Sequence, residues 1–293
     1  MNALARGAWG LGLAACLALG LAAAEAEKPA AEKPAKEKPV TFGPPAGARW
    51  EVLPDFTDEF EGKALDRKKW HPTNPKWQGR QPGWFAPENV TVADGNLALA
   101  MRREDRPNLP QGYHTYTSAA VKSTRTVLYG YFEVRARPMK SRGSSAFWFY
   151  DNAPDRWTEI DVFEIGGGSP GHERKYYMNV HVFRTPEEPN RHWDKPVVWE
   201  APWNLADDYH VYALEWDKDR LRWYVDGVVR RTQENTHWHQ PLYLNFDSET
   251  MSEWFGLPEA GTLPSTFRID YVRAWKRADG QAPAGKGDAA RGG

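Results

Sequence analysis

Residues 158–167 read TEIDVFEIGG. Glu159 and Asp161 are two apart, the step that keeps side chains on one face of a strand, and Ile160 and Val162 take the other face. Glu164 breaks the period, because a regular strand would point it the same way as Ile160 and Val162. A β-bulge near Val162 and Phe163 adds one residue and returns Glu164 to the acidic face. With the bulge counted as one step of ~3.3 Å, Glu159 and Glu164 stand four steps, roughly 13 Å, apart at Cα. Side chains reaching ~3.5 Å inward from each end bring the two carboxyls to roughly 6 Å.

Around this strand the period of two recurs from end to end of the chain. It runs through NVTVADGNLALA, YGYFEVRARP, SSAFWFY, YYMNVHVF, RLRWYVDGVV and TFRIDYVRAW, separated by Gly, Pro and Asp turns. Asp94-Gly95 and Asp226-Gly227, each between apolar-rich strands, are two-residue hairpin signals. No helical period of comparable length interrupts them. About 230 residues of such strands indicate one large antiparallel sandwich or barrel rather than two small ones.

The 293 residues carry net charge −1 and 41% hydrophobic residues, enough apolar surface for a large core. That balance gives no electrostatic footprint for nucleic acid, and no apolar run beyond the first residues is long enough to span a bilayer. MNALARG followed by AWGLGLAACLALGLAAA reads as an export signal with cleavage after Ala24 or Ala26, which places the mature protein in the periplasm or outside the cell. The single cysteine, Cys16, sits in a context that resembles a lipoprotein processing site, and it leaves no disulfide within the chain. Residues 27–47 repeat Glu-Lys-Pro-Ala and read as an extended tether. Residues 278–293 read as a frayed tail, so the organisation expected is signal 1–26, tether 27–47, a monomeric domain 48–277 and tail.

Fourteen of the fifteen tryptophans fall in that domain, several in polar loops such as NPKWQGRQPGWF, which holds Trp84, and RHWDKPVVWEAPW. Indole stacks on the flat C–H face of a sugar ring, so such loops suit a carbohydrate chain, with Trp84 and Trp157 among the candidates. Trp216, Trp223 and Trp275 lie inside strands and read as structural. Three carboxylates in a row repel one another and raise the pKa of at least one, as a general acid near neutral pH requires. A carboxyl separation of roughly 6 Å is close to the ~5–5.5 Å of a retaining glycosidase. A solvated acidic face or a cation site is the other reading, although no histidine or cysteine stands beside the acids at ligand spacing.

The run Glu159-Ile-Asp161-Val-Phe-Glu164 resembles the active-site signature of glycoside hydrolase family 16, in the form with one extra residue before the last Glu. The resemblance extends over residues 50–276, through the strands before the acids and through DDYHVYALEWDKDRLRWYVDGVVRRT and FRIDYVRAW after them. It implies an all-β, concanavalin A-like jelly-roll of two antiparallel sheets with a concave substrate cleft. It also implies hydrolysis with retention: Glu159 the nucleophile, Asp161 its assisting partner, Glu164 the acid/base. No cofactor enters that chemistry. A structural Ca²⁺ on the convex side is implied as well, with Glu59 and Asp270 at about the places of its ligands.

In YYMNVHVF, Asn179, His181 and Phe183 share the face opposite Met178, Val180 and Val182, so His181 is a candidate partner of Asp161 and Asn179 a candidate substrate contact. Trp148 matches the family tryptophan that floors the cleavage subsite. The stretch PLYLNFDSETMSEWFGLP, with Asn245, Asp247, Glu249 and Trp254, resembles agarases, porphyranases and carrageenases more than laminarinases, and Glu249 is placed to accept hydrogen bonds from a sugar. Arg80, Arg142, Arg184 and Arg191 lie in loops where a guanidinium can meet a sulfate ester. The expectation is an exported endo-β-glycosidase acting on a red-algal galactan, with a laminarin-type β-1,3-glucanase and a non-catalytic carbohydrate-binding protein as the alternatives.

Overall fold

The computed structural model describes residues 41–278. The expected export signal, Cys16, the expected tether up to residue 40 and the expected tail from residue 279 lie outside the described residues. Ten strands lead from the domain start through the acidic stretch: β1 (Trp50–Val52), β2 (Trp70–His71), β3 (Gly83–Phe85), β4 (Val90–Ala93), β5 (Asn96–Arg103), β6 (Tyr116–Val127), β7 (Gly130–Arg137), β8 (Ser144–Asn152), β9 (Trp157–Ile165) and β10 (Lys175–Arg184). Seven follow: β11 (Trp193–Asp194), β12 (Val197–Glu200), β13 (His210–Trp216), β14 (Arg220–Val225), β15 (Val228–Glu234), β16 (Leu242–Glu249) and β17 (Ser265–Arg277). Only short 3₁₀ turns interrupt them among the described residues.

The strands form two layers. One runs β4–β5–β17–β7–β13–β14–β15, with β1 along the C-terminal end of β17. The other runs β2–β6–β16–β8–β9–β10, and β10 then pairs with β11 and β12. All these pairings are antiparallel, and β5 meets β6 at Arg102 and Arg103, joining the layers into one continuous seventeen-stranded array. This is the two-layer all-β sandwich expected from the period-two segments.

Alternation along each strand sends one set of side chains between the layers. Phe132 and Tyr212 from the first layer meet Phe149 and Phe163 from the second at ring separations of 4.9 and 4.7 Å. Each buried ring contributes about 1.5–3 kcal/mol, so an aromatic seam of this kind fixes how the layers face each other. Both hairpins form with two-residue turns, Asp94 and Gly95 at φ 52° and 69°, Asp226 and Gly227 at 49° and 75°. Left-handed φ at both positions is what a type I′ turn demands, and Asp-Gly tolerates it. Trp216 and Trp223 are fully buried, and Trp275 packs on Tyr131 of the outer face at 5.9 Å.

The end of the tether does not hang free. Glu133, buried on the outer face of β7, accepts hydrogen bonds from the Thr41 hydroxyl, from Gly43 N at 2.9 Å and from the Tyr271 hydroxyl at 2.9 Å. The tether there is held by backbone and hydroxyl donors to one carboxylate, which a reading by apolar content does not detect.

Candidate active site

The expected bulge is present in β9. On the β8 side Phe147 faces Phe163 and Trp148 faces Asp161; on the β10 side Tyr177 faces Glu164 and Asn179 faces Asp161. Val162 has no opposite number on either neighbour. Ile160, Val162, Phe163 and Ile165 all lie in the core with no exposed surface, while Glu159 and Glu164 are partly open on the opposite face. Two adjacent residues therefore point inward, and that is what returns the third acid to the cleft. The strand ends where Gly166 and Gly167 pass other chain segments closely: a Cβ on Gly166 would stand 2.6 Å from the Phe255 ring, and one on Gly167 would stand 2.6 Å from the Met139 carbonyl.

The second layer's outer face forms a cleft of about 320 Å³. Its floor comes in register from Asp247 and Glu249 of β16, Trp148 and Tyr150 of β8, and Glu159, Asp161 and Glu164 of β9, with Trp157 and Phe183 at one end and Lys76, Trp77 and Arg80 from the loop after β2. Trp157 and Phe183 stack 4.1 Å apart at 20°, and Trp148 lies over Tyr150 at 4.6 Å and 24°. The indole N–H of Trp148 donates to Asp247 Oδ2 and that of Trp77 to Glu249 Oε1, each at 2.6 Å. Two acids of the floor thus orient two indole rings of the cleft.

Burial, with neighbouring acids at three of them, raises the cost of ionising four carboxylates of the cleft: Glu159, Glu164, Asp247 and Glu249. Burial first, then the charges of Asp161, Asp247 and Glu249, push Glu159 well above the ordinary carboxylate range, with Arg80 acting against them. Glu164 is pushed well up by burial and then by Asp161 and Glu159, and all of its main influences are in the same direction. Asp247 rises through burial and the Glu249 charge; Glu249 rises through burial, opposed chiefly by Arg80.

His181 lies beside the first two acids, Nε2 3.1 Å from Asp161 Oδ2 and 3.8 Å from Glu159 Oε1. Burial alone would lower its pKa, but the hydrogen bond and charge of Asp161 outweigh this and raise it. Glu159, Asp161 and His181 are also close enough, within 4.8 Å of one another, to surround a cation. A proton on Nε2 occupies the lone pair a metal would need. From the core side, Trp223 Nε1 donates to the Asp161 carbonyl at 2.9 Å, and Trp238 Nε1 to the carbonyls of Glu159 and His181 at 2.8 and 3.2 Å.

Of the residues singled out from sequence, Glu159, Asp161, Glu164, Trp148, Trp157 and Glu249 line this one cleft. Asn179 stands behind, its amide nitrogen 3.0 Å from His181 Nε2 and its Oδ1 accepting from Val180 N and Lys195 N. Trp84 and Arg142 are not among the lining residues: Trp84 packs edge-on against Tyr113 at 5.3 Å, and Arg142 faces Glu259 at 3.4 Å. Arg80 lines the cleft, Arg184 donates to Asn152 beside it, and Arg191 pairs with Glu188 at 3.1 Å. Glu59 takes a two-pronged bond from Arg273 at 2.7 and 3.0 Å, and Asp270 pairs with Arg135 at 2.8 Å. With a guanidinium against each carboxylate, these two acids do not fit a Ca²⁺ site as they stand. Phe183 lines the cleft on the face it shares with His181, and Tyr150, unremarked in the sequence, follows from the alternation two residues beyond Trp148. Trp77 lies in the polar loop NPKWQGRQPGWF that the sequence marks as suited to a sugar chain, but without a period nothing there says that Trp77 rather than Trp84 meets the cleft.

Comparison with known proteins follows the same lines. A family model described as the GH16 domain of β-porphyranases A–D matches residues 50–277. β-Porphyranase B of Zobellia galactanivorans is 29% identical over 254 residues, covering 78% of this chain and 86% of that protein. β-Porphyranase E of the same organism is 30% identical over 253 residues, covering 79% and 89%. The crystal structure of porphyranase B superposes with a TM-score of 0.72 at 26% identity, over 82% of this chain and 97% of that one. Since the match begins at β1, ends at β17 and takes in the whole bulged strand, the chain belongs to glycoside hydrolase family 16, in the group of its β-porphyranase A–D domains.

Proposed function

We propose that this glycoside hydrolase is an exported, endo-acting enzyme that cleaves the β-linkages of a red-algal galactan with retention of configuration. The observation that carries the reading is the bulge in β9, which puts Glu159, Asp161 and Glu164 on one wall of an aromatic-lined cleft. The kinship with porphyranases supports a galactan, and Lys76 and Arg80 at the cleft supply cations for an anionic sugar. Export rests on the leader sequence; among the described residues no helix is long and apolar enough to cross a membrane.

The two glutamates divide the work by their surroundings. Glu164, whose neighbours all hold its proton on, gives that proton to the glycosidic oxygen as the bond to the anomeric carbon breaks. Glu159, eased toward ionisation by Arg80, attacks the same carbon and forms a covalent glycosyl ester. A proton held on Glu164 removes one of the charges that oppose ionisation of Glu159, so the pair titrates as a unit. In the second half-reaction Glu164, now a carboxylate, takes a proton from water, the water oxygen bonds to the anomeric carbon, and Glu159 leaves. His181, paired with Asp161, stands 3.8 Å from the nucleophile's carboxylate and adds a positive charge beside it when protonated.

Release of reducing ends from porphyran, agarose, κ-carrageenan and laminarin, compared in one assay, tests the substrate. The expected result is faster release from one of the galactans. Preference for laminarin would make the protein a β-1,3-glucanase, and binding without products, unchanged by Glu164→Gln, would make it a carbohydrate-binding protein.

A further inference from the structure

Arg231 is a buried cation that plays no part in the chemistry above. It sits on β15 opposite Trp223 of β14, only 6% exposed, with its guanidinium carbon 4.4 Å from the centre of the Trp223 ring. Its Nη2 donates to the Lys195 carbonyl at 2.8 Å. Burial pulls this guanidinium down to about 10, and the negative charge of Asp161 works against that pull. Taking an arginine out of water is costly, and apolar residues of similar volume often serve stability as well or better. Stability is therefore a poor reason for an arginine at this place.

Its contacts lead to the acids by two routes. Trp223 spans the space between the layers and donates its indole N–H to the carbonyl of Asp161, the last residue before the register slips. Lys195, whose carbonyl receives the guanidinium, donates its own N–H to the Val180 carbonyl and to Asn179 Oδ1, both at 3.1 Å, the two residues of β10 just before His181. One planar cation thus braces the indole behind β9 and the segment beside β10.

We propose that Arg231 is a positioning residue: by stacking on Trp223 it fixes the indole that holds the Asp161 carbonyl, and so sets the angle at which the bulge presents Glu159 and Glu164. The inference rests on the hydrolytic reading of the cleft and adds to it a determinant outside the cleft. Lysine keeps the charge but lacks the planar face, so Arg231→Lys should recover only part of what Arg231→Met loses.

The test combines kinetics, thermal stability and amide exchange. Arg231→Met is expected to lower kcat at least tenfold with KM within twofold, to leave the thermal midpoint unchanged or higher, and to speed exchange of the amides of residues 158–165. Trp223→Phe, which keeps a ring and loses the N–H, should reproduce the loss of kcat and the faster exchange. Exchange across 158–165 equal to wild type in Arg231→Met would overturn the proposal whatever the kinetics, and so would kcat within twofold of wild type in both variants. Failure of the wild-type enzyme on every polysaccharide would refute the hydrolytic reading alone, because the exchange comparison needs no substrate.

Discussion

Glu159 and Glu164 are the same residue type on the same strand, and their difference lies in their neighbours. Burial and neighbouring acids push both up, but Arg80 eases ionisation at Glu159, whereas burial and four acids of the cleft hold the proton on Glu164. Two replacements separate the roles. Glu164→Ala should lose roughly 10²–10⁴-fold on polysaccharide, the usual worth of a general acid, yet keep turnover on an aryl glycoside whose leaving group needs no proton. Azide should then rescue it and give the β-glycosyl azide, while Glu159→Ala with azide should give the α-azide; the opposite pairing of anomers, read by NMR, would exchange the two assignments. At this scale the acids were legible because three carboxylates at that spacing are unusual in a half-buried strand. The loop of Trp77 was legible as tryptophan-bearing, but the place of Trp77 beside Glu249 was not, since it depends on how an aperiodic loop folds back across the cleft.

At the scale of the element, the bulge is what turns a strand into a catalytic wall. Its location followed from the sequence because a period of two leaves only one place where an extra residue restores Glu164 to the acidic face. Hydrogen bonds from Trp223 and Trp238 to β9 were not legible, because both tryptophans belong to other segments and their spacing says only that they are buried. Deleting Val162 would leave Glu159-Ile160-Asp161-Phe163-Glu164-Ile165, a regular alternation that keeps the three acids on the cleft face and the apolar residues in the core. The expected outcome is a folded variant that keeps turnover, destabilised by roughly 1.5–3 kcal/mol for the buried Val162 side chain it loses. Circular dichroism melts and turnover of the deletion variant check this, and a folded deletion variant without turnover would show that the bulge sets more than the face on which Glu164 lies.

The whole molecule carries a stability cost concentrated in its cleft. Glu159, Glu164, Asp247 and Glu249, with Glu133 on the outer face, all have raised pKa values, so between the ordinary carboxylate range and those raised values the folded state binds more protons than the unfolded. Stability in that window falls as pH rises, and the raised His181 acts in the same direction. Glu88, Glu104 and Asp226, whose pKa values are lowered, act oppositely and set the acid limit. The thermal midpoint should therefore peak on the acid side of neutral. Glu164→Gln should raise the midpoint at pH 7, by roughly 2–4 °C for each kcal/mol of repulsion relieved, with the gain vanishing near pH 4. An equal gain at both pH values would remove repulsion as the cause.

The two-layer sandwich was legible as a whole because alternating segments and Asp-Gly turns leave few other ways to bury so many strands. The docking of Thr41 and Gly43 on Glu133 was not, since one carboxylate meeting backbone donors leaves no pattern in composition. The central claim is that a bulged strand places two glutamates for direct displacement at an anomeric carbon. Its most direct test is the configuration of the first product released from a red-algal galactan, followed by proton NMR before mutarotation. The β-anomer should appear first and the α-anomer only later, as the product equilibrates. Appearance of the α-anomer first would mean that water, and not Glu159, attacks the sugar.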